Sequence, residues 1–242
     1  MLKTLKSMRD CTLSAKDGEI GMVRDIFFDD EYWTVRYLVV NTSSWLLGRN
    51  VLILPRSLGS LDNFNRTISV DLTRQQVKDS PDVDTDQPIS RADEINYHRY
   101  MGFPVYWGGI GDVIPAIPEP QFPPSEDVPG EKQETHLRSA QELEGYRVEA
   151  LDGRIGHVSE LLIKPDDWRI AYLVLKTKDW LPGKTVVVPT NSFKQVNWFD
   201  RSIKVSLNRN EIEKAPEFIV PDLESGMLTK ELHHYFGTNL RS

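Results

Sequence analysis

The chain of 242 residues, 39% hydrophobic and 27% charged, has the balance of a soluble globular protein. It holds enough apolar side chain for two cores, each in a domain of roughly 80–110 residues. The net charge of −7 disfavours a nucleic-acid partner, since phosphate binding relies on Lys and Arg to displace counterions.

The N-terminal MLKTLKSMRD has neither the apolar segment nor the small-residue cleavage site of a signal peptide. No stretch approaches the roughly 18 apolar residues that a membrane span needs, which leaves peripheral membrane association through a partner open. The single cysteine, Cys11, cannot form an intrachain disulfide and fits a reducing, cytoplasmic setting. At the start of a strand it is expected to act as a small, partly buried apolar residue.

Cys11–Ala15 is expected to be a strand entering the Asp17-Gly18 turn, because Gly accepts the positive φ that hairpin turns demand. Gly21–Phe28 and Val35–Thr42 follow as β-branched and aromatic strands. A turn holding Trp45, Leu46 and Gly48 leads to Val51–Leu54, which stops at Pro55, a residue unable to donate to a ladder. Thr67–Leu72 alternates with period two, and Thr73–Lys78 gives one or two helical turns behind a polar N-cap. Ser90–Asp93 is a capping box opening a helix through Met101, closed by Gly102. The next stretch, from Pro104 to Pro129, holds seven of the fifteen prolines with Gly108-Gly109 and Gly111, which predicts an extended linker. Much of the chain's acidity lies around it: from Asp82 to Glu134, eleven Asp and Glu face Arg91, Arg99 and Lys132. Phe103, Tyr106 and Trp107 are placed to pin the linker's start against the first unit.

A shift of 135 residues then lays the sequence on itself. Asp17-Gly18-Glu19-Ile20-Gly21 meets Asp152-Gly153-Arg154-Ile155-Gly156, and from Asp17 to Arg49 identical residues stand at 13 of 33 positions. Trp33, Tyr37-Leu38-Val39 and Trp45-Leu46 meet Trp168, Tyr172-Leu173-Val174 and Trp180-Leu181. The register persists through Arg66/Arg201 and Ile68/Ile203 to His98/His233 and Gly102/Gly237, so the repeated unit includes a helical tail. The second copy therefore predicts strands at Tyr146–Ala150, Gly156–Ile163, Ile170–Thr177, Val186–Val188 and Ser202–Leu207. Helical turns at Asn208–Lys214 and a helix over Lys230–Phe236, ended by Gly237, complete it. About six short strands with tight turns suggest a small barrel, which removes exposed edges. The expected domains are 1–102, a linker over 103–139, and 140–242.

The ordered set of an Asp-Gly turn, Ile-Gly-x-Val, Tyr-Leu-Val-Val, Trp-Leu-x-Gly-[Arg/Lys] and a strand ending in Pro, found twice, resembles the PRC-barrel domain. That family is named from the cytoplasmic part of the photosynthetic reaction centre H subunit, and a similar barrel forms the C-terminal half of a ribosome-maturation factor. The resemblance implies a mainly β chain of two tandem PRC-type barrels, each with a short helical tail, joined by a Pro-rich acidic linker. It also implies a protein that binds partners rather than catalyses. The transmembrane helix of the H subunit and the N-terminal domain of the maturation factor have no counterpart here.

Candidate sites are few. Trp45, Leu46, Trp180 and Leu181 sit on equivalent loops, where an aromatic-aliphatic pair either contacts a partner or folds back as a lid on its own barrel; packing is the simpler reading of two identical copies. Asp17, Gly18, Gly21, Asp152, Gly153 and Gly156 form the structural turn motif. Among the histidines, His233 and His234 cannot make an i,i+4 metal pair, and His98 and His233 share a repeat position, which suggests packing. Asp29, Asp30, Glu31, Asp166 and Asp167 are expected to be solvated loop acids. Arg169, Lys176, Lys178 and Lys184 make either a basic patch or a solvated face. No phosphate loop, HExxH, CxxC or nucleophile elbow occurs. The expectation is a non-enzymatic interaction module without metal or cofactor, whose partner is another protein or a second copy in a homodimer. The alternatives are a ribosome- or RNA-associated factor, and a small-ligand binder or enzyme with its site between the barrels.

Overall fold

Strand-forming segments dominate a computed structural model that describes residues 2–62, 64–83, 85, 89–107, 136–177 and 184–239. The first copy comprises β1 (Lys3–Thr4), β2 (Thr12–Ala15), β3 (Gly18–Asp29), β4 (Thr34–Asn41), β5 (Asn50–Ile53), β6 (Leu58–Asp62) and β7 (Thr67–Val70), then α1 (Arg74–Lys78) and α2 (Arg91–Met101). The second comprises β8 (Leu137–Ser139), β9 (Arg147–Ala150), β10 (Gly153–Lys164), β11 (Arg169–Lys176), β12 (Thr185–Pro189), β13 (Phe193–Asn197) and β14 (Ser202–Val205), then α3 (Arg209–Lys214), α4 (Val220–Ser225) and α5 (Met227–Asn239). No helix among the described residues is long and apolar enough to cross a membrane.

Each copy repeats one strand order. β6-β7-β2-β3-β4-β5 is antiparallel except for the parallel pair β2–β7, and β13-β14-β9-β10-β11-β12 carries the same exception at β14–β9. Register slips recur at equivalent points, between Val23 and Asp25 in β3 and between Val158 and Glu160 in β10. Such bulges bend a strand and let a short sheet curl over its own apolar face. Closure is a correction to the barrel expectation. Among the described residues β5 pairs with β4 alone and β6 with β7 alone, so the ladder stays open. A 3₁₀ turn at Pro55–Ser57 spans that gap, because Pro55 cannot donate to a neighbouring strand.

The copies also share one sheet. β1 of the first copy pairs with β10 of the second (Lys3↔Ile163), while β8 of the second pairs with β3 of the first (Phe28↔Arg138). Adding 135 to one partner and subtracting it from the other converts the first pair into the second, so this is a reciprocal strand exchange about a pseudo-twofold axis. On that axis Thr34 of β4 faces Arg169 of β11. Trp33 and Trp168 sit beside it at φ 54° and 59°, a conformation that costs a non-glycine residue about 1 kcal/mol. Their carbonyls accept the N–H of Ile170 and Val35 in the opposite copy at 2.7 and 2.9 Å, which offsets that strain. Trp33 also packs edge-on against Phe193 of the second copy, with ring centres 4.9 Å apart. One apolar core accordingly runs through both copies.

The expected capping box forms at Ser90/Asp93, the expected polar N-caps Thr73 and Asn208 also close full boxes with Gln76 and Glu211, and Gly102 closes α2 in the left-handed conformation. The last helix departs from expectation. α5 starts at Met227 and runs through Gly237, while the left-handed glycine is Gly226, which ends α4. A glycine terminates a helix only where the backbone turns left-handed, and at Gly237 it does not. The Pro-rich linker lies outside the described residues except at its ends.

Candidate functional site

The turn motif sets the frame. Gly18 and Gly153 take φ of 142° and 137° at their hairpins, as the Asp-Gly dipeptides demand. The aspartates do more than turn: Asp17 accepts the N–H of Arg74 at 2.7 Å and Asp152 that of Arg209 at 2.8 Å, each satisfying a free donor at a helix start. Gly21 and Gly156 sit where β3 crosses the end of β4 and β10 the end of β11, with no room for a side chain.

Trp45 folds back. Its indole N–H donates to the Ile20 carbonyl, the Arg74 guanidinium lies 4.4 Å over its ring, and Leu46 packs with it against the core. The outward residue of this loop is Leu47, 99% exposed. Trp180 and Leu181 lie outside the described residues. Replacing Trp45 by Ala is expected to cost about 3 kcal/mol, read as a lower urea midpoint; an unchanged midpoint would return Trp45 to the surface.

Two other positions reach solvent in both copies. Phe64 and Phe199, related by the 135-residue shift, cap the β6–β7 and β13–β14 turns at 94% and 96% exposure. The turns are built rigidly. Asp62 accepts the N–H groups of Phe64 and Asn65 at 2.9 and 3.0 Å and the Asn65 amide at 2.7 Å, bonds that hold its carboxyl below the ordinary range. In the second copy Asn197 accepts the N–H of Asp200 at 2.9 Å and donates back to its carboxylate at 2.7 Å. The left-handed residue of each turn is Arg66 or Arg201, both at φ 50°. Nothing in the turn conformation therefore requires phenylalanine. Arg66 donates to the Arg9 carbonyl at 3.0 Å and Arg201 to the Glu142 carbonyl at 3.2 Å. Arg9 and Glu144, themselves equivalent, form an ion pair across the pseudo-axis, so the segments that anchor the two turns meet at that axis.

A buried polar network lies under α2 in the first copy and has no counterpart among the described residues of the second. The Tyr37 hydroxyl sits 2.9 Å from Glu94 Oε2 and 3.0 Å from His98 Nε2; His98 Nδ1 contacts the Pro104 carbonyl at 2.9 Å. Tyr106 donates to the same Glu94 oxygen at 2.9 Å, and its ring lies between Arg36, 3.8 Å from the ring centre, and Arg91. Phe103 under Arg56 and Trp107 under Arg91 complete the anchoring of the linker's start, as the aromatic cluster suggested. The Pro104 carbonyl only accepts, so Nδ1 carries a proton. Tyr37 has one proton to give. It satisfies Nε2 when Glu94 is protonated, or Glu94 when His98 is charged, so full pairing takes the hydroxyl's own proton and one more, held by either Glu94 or His98. In the second copy Ala171, Thr229 and His233 stand at the positions of Arg36, Glu94 and His98, and His233 is exposed. Packing at that shared position therefore holds for His98 and not for its counterpart.

Burial pushes the Glu94 carboxyl above its ordinary 4.5 and the His98 imidazole below its ordinary 6.5. A carboxyl raised in the folded state contributes stability that is present below about pH 4.5 and lost as pH rises through its folded value. His98 acts in reverse: its contribution is present above pH 6.5 and lost as pH falls through its lowered value. Urea titrations across pH are expected to show Glu94→Gln gaining on the wild type toward high pH and His98→Gln gaining toward low pH. Parallel curves for either variant would refute that assignment. Burial raises Asp25 and Glu160 in the same sense; they are equivalent acids at the two bulges, each accepting the next residue's N–H.

The loop acids divide. Asp166 and Asp167 are exposed as expected, but Asp29 is 1% exposed, which corrects its reading as solvated. Its carboxylate accepts the N–H groups of Glu31 and Tyr32 and an Arg36 guanidinium N–H, and Asp30 pairs with Arg138 of β8 at 3.0 Å. Arg169 and Lys176 are exposed, Lys184 is half-buried, and Lys178 lies outside the described residues. Cys11 is buried just before β2, and burial pushes its thiol up, so it has the character of a core residue. Sequence reasoning passed over the phenyl tips, although the 135-residue shift aligns them. It also passed over the network, although Glu94 and His98 stand at i,i+4 on the α2 face that buries Tyr97.

The family model described as the PRC-barrel domain matches residues 136–209. The match lies within the second copy and begins at β8, the strand that pairs with the first copy. No curated protein matches the chain.

Proposed function

We propose that this chain is a non-enzymatic interaction module in which a second PRC-type unit, the first copy, is fused to the matched one. Shared strand order, register slips and turn geometry support that reading of residues 2–102. The module engages a protein partner that carries two apolar pockets, through Phe64 and Phe199. One observation carries this: both copies hold a phenyl ring almost fully in water on a rigid turn that does not need it, although most other positions have diverged. Large rigid aromatics contribute strongly to binding when a pocket covers them. Two on one chain bind a bivalent partner with the gain of a second, intramolecular contact.

The test is crosslinking and affinity capture from the native cell with wild type, each single Phe→Ser variant and the double variant, followed by binding measurements on the purified partner. The double variant is expected to bind at least 100-fold more weakly, with the singles between and all melting temperatures within 2 °C. Equal affinity of the double variant and the wild type would overturn the proposal. Loss of a wild-type dimer on the same substitutions, in sedimentation equilibrium, would make the partner a second copy.

A further inference from the structure

We propose that the groove between the first copy's N-terminal segment and the second copy binds a small amphiphilic organic anion, an alkyl or aryl carboxylate or sulfonate. The groove encloses about 870 Å³, within the range of small-molecule sites. Its floor comes from Ser159 and Glu160 of β10 and Val174 of β11. One wall is Leu2 to Ser7, the segment that carries the exchanged β1; the facing wall is Phe218, Val220 and Leu223, before and within α4. Neither copy forms this groove alone.

The walls differ in chemistry. The facing wall is apolar, and Val220 there is half in solvent. Lys3, Lys6 and Arg66 stand on the first copy's side and Lys176 closes the floor, against Glu160 and Glu224: four cations to two carboxylates. Glu160 is already engaged, accepting the N–H groups of Leu161 at 2.8 Å and Lys6 at 3.3 Å. Lys6 pairs with Glu144, whereas Lys3 and Lys176 have no ion-pair partner among the described residues. An anion with an apolar body lays that body on Phe218 and Val220 and directs its charge to these lysines. A cation meets repulsion, and a neutral alcohol leaves the lysines unanswered.

Dodecanoate is the probe, titrated calorimetrically below its micellar concentration, with dodecanol and dodecyltrimethylammonium in parallel. Saturable one-to-one binding of dodecanoate is expected, at least tenfold tighter than either analogue. Lys3→Glu/Lys176→Glu, at a half-buried and an exposed position, and Val220→Asp, on the opposite wall, are each expected to weaken it at least tenfold while leaving the ligand-free melting curve in place. No saturable binding by the wild type, equal affinity for dodecanol, or wild-type affinity in both variants would overturn the assignment. Phe64 and Phe199 line no part of this groove, so failure here leaves the partner-binding test untouched, and the reverse.

Discussion

Replacing Gly156 by alanine is expected to lower stability by about 4 kcal/mol, a size reserved for changes the structure cannot absorb. A Cβ there would stand 2.1 Å from the Lys176 carbonyl oxygen, 2.9 Å from its carbon and 3.1 Å from Thr177 Cα. All three are backbone atoms, so no rotamer change relieves the clash. Ordinary overpacking costs about 1–3 kcal/mol because side chains move aside; here the His157↔Lys176 register must break. Gly21 is equivalent, with the added Cβ 1.9 Å from the Asn41 oxygen. Gly102 and Gly145 supply the control. Both have positive φ but no atom within 4 Å of an added Cβ, so alanine there costs only conformational strain of about 1 kcal/mol. Urea midpoints of the four variants check this: a Gly156 variant no worse than the Gly145 variant would mean that β10 and β11 do not approach so closely.

The second large effect crosses the copies. Leu5→Asp, a change in the first copy, is expected to destabilise the second by more than 4 kcal/mol. Leu5 is buried in the common core and its N–H donates to the Leu161 carbonyl of β10 at 3.0 Å. Leu→Ala at such a site costs about 2–5 kcal/mol, and a carboxylate adds the penalty of an unpaired buried charge. Hydrogen exchange provides the local readout: amides of β10 and β11 lose protection together with those of β1, in a single cooperative transition. Unchanged β10 protection beside a destabilised first copy would show that the strand exchange contributes little.

Much of this fold was readable in the residues. The Asp-Gly turns, the Pro-terminated strands and the Ser90 and Asn208 caps each obey a local rule, because a positive φ, a missing N–H or a free helix donor is settled within a few residues. The exchange was not readable. β1 and β8 have two and three residues, too short for any alternation. Their own and their neighbour's acceptor strands also have near-identical character, Phe27-Phe28 in one and Leu162-Ile163 in the other. The packing and hydrogen bonds at Trp33 and Trp168, which join the two copies, are set by tertiary contact and not by pattern. Barrel closure failed for a related reason: alternation in Thr67–Leu72 announces a buried face but not which edges meet. Asp29 resembled a solvated acid because its cluster is charged; its environment depends on Arg36, seven residues on, and on the backbone of Glu31 and Tyr32. Of the site, Trp45 and the anchoring aromatics were visible, whereas the phenyl tips required asking which repeated residues the fold does not need.

The exchanged strands also impose an order on synthesis. When the ribosome has released the first copy, the edge of β3 that β8 will occupy is still open, and β1 has no strand to pair with until β10 emerges some 160 residues after it. Closing a loop of that length adds only a few kcal/mol of chain entropy, but it delays the last step of folding and keeps an apolar edge available in the meantime. A nascent chain stalled in the linker is therefore the form in which this protein is most prone to pair with a neighbour's strand. A chaperone bound to the N-terminal segment, or slow translation after residue 136, would change the folding yield without altering a single native contact.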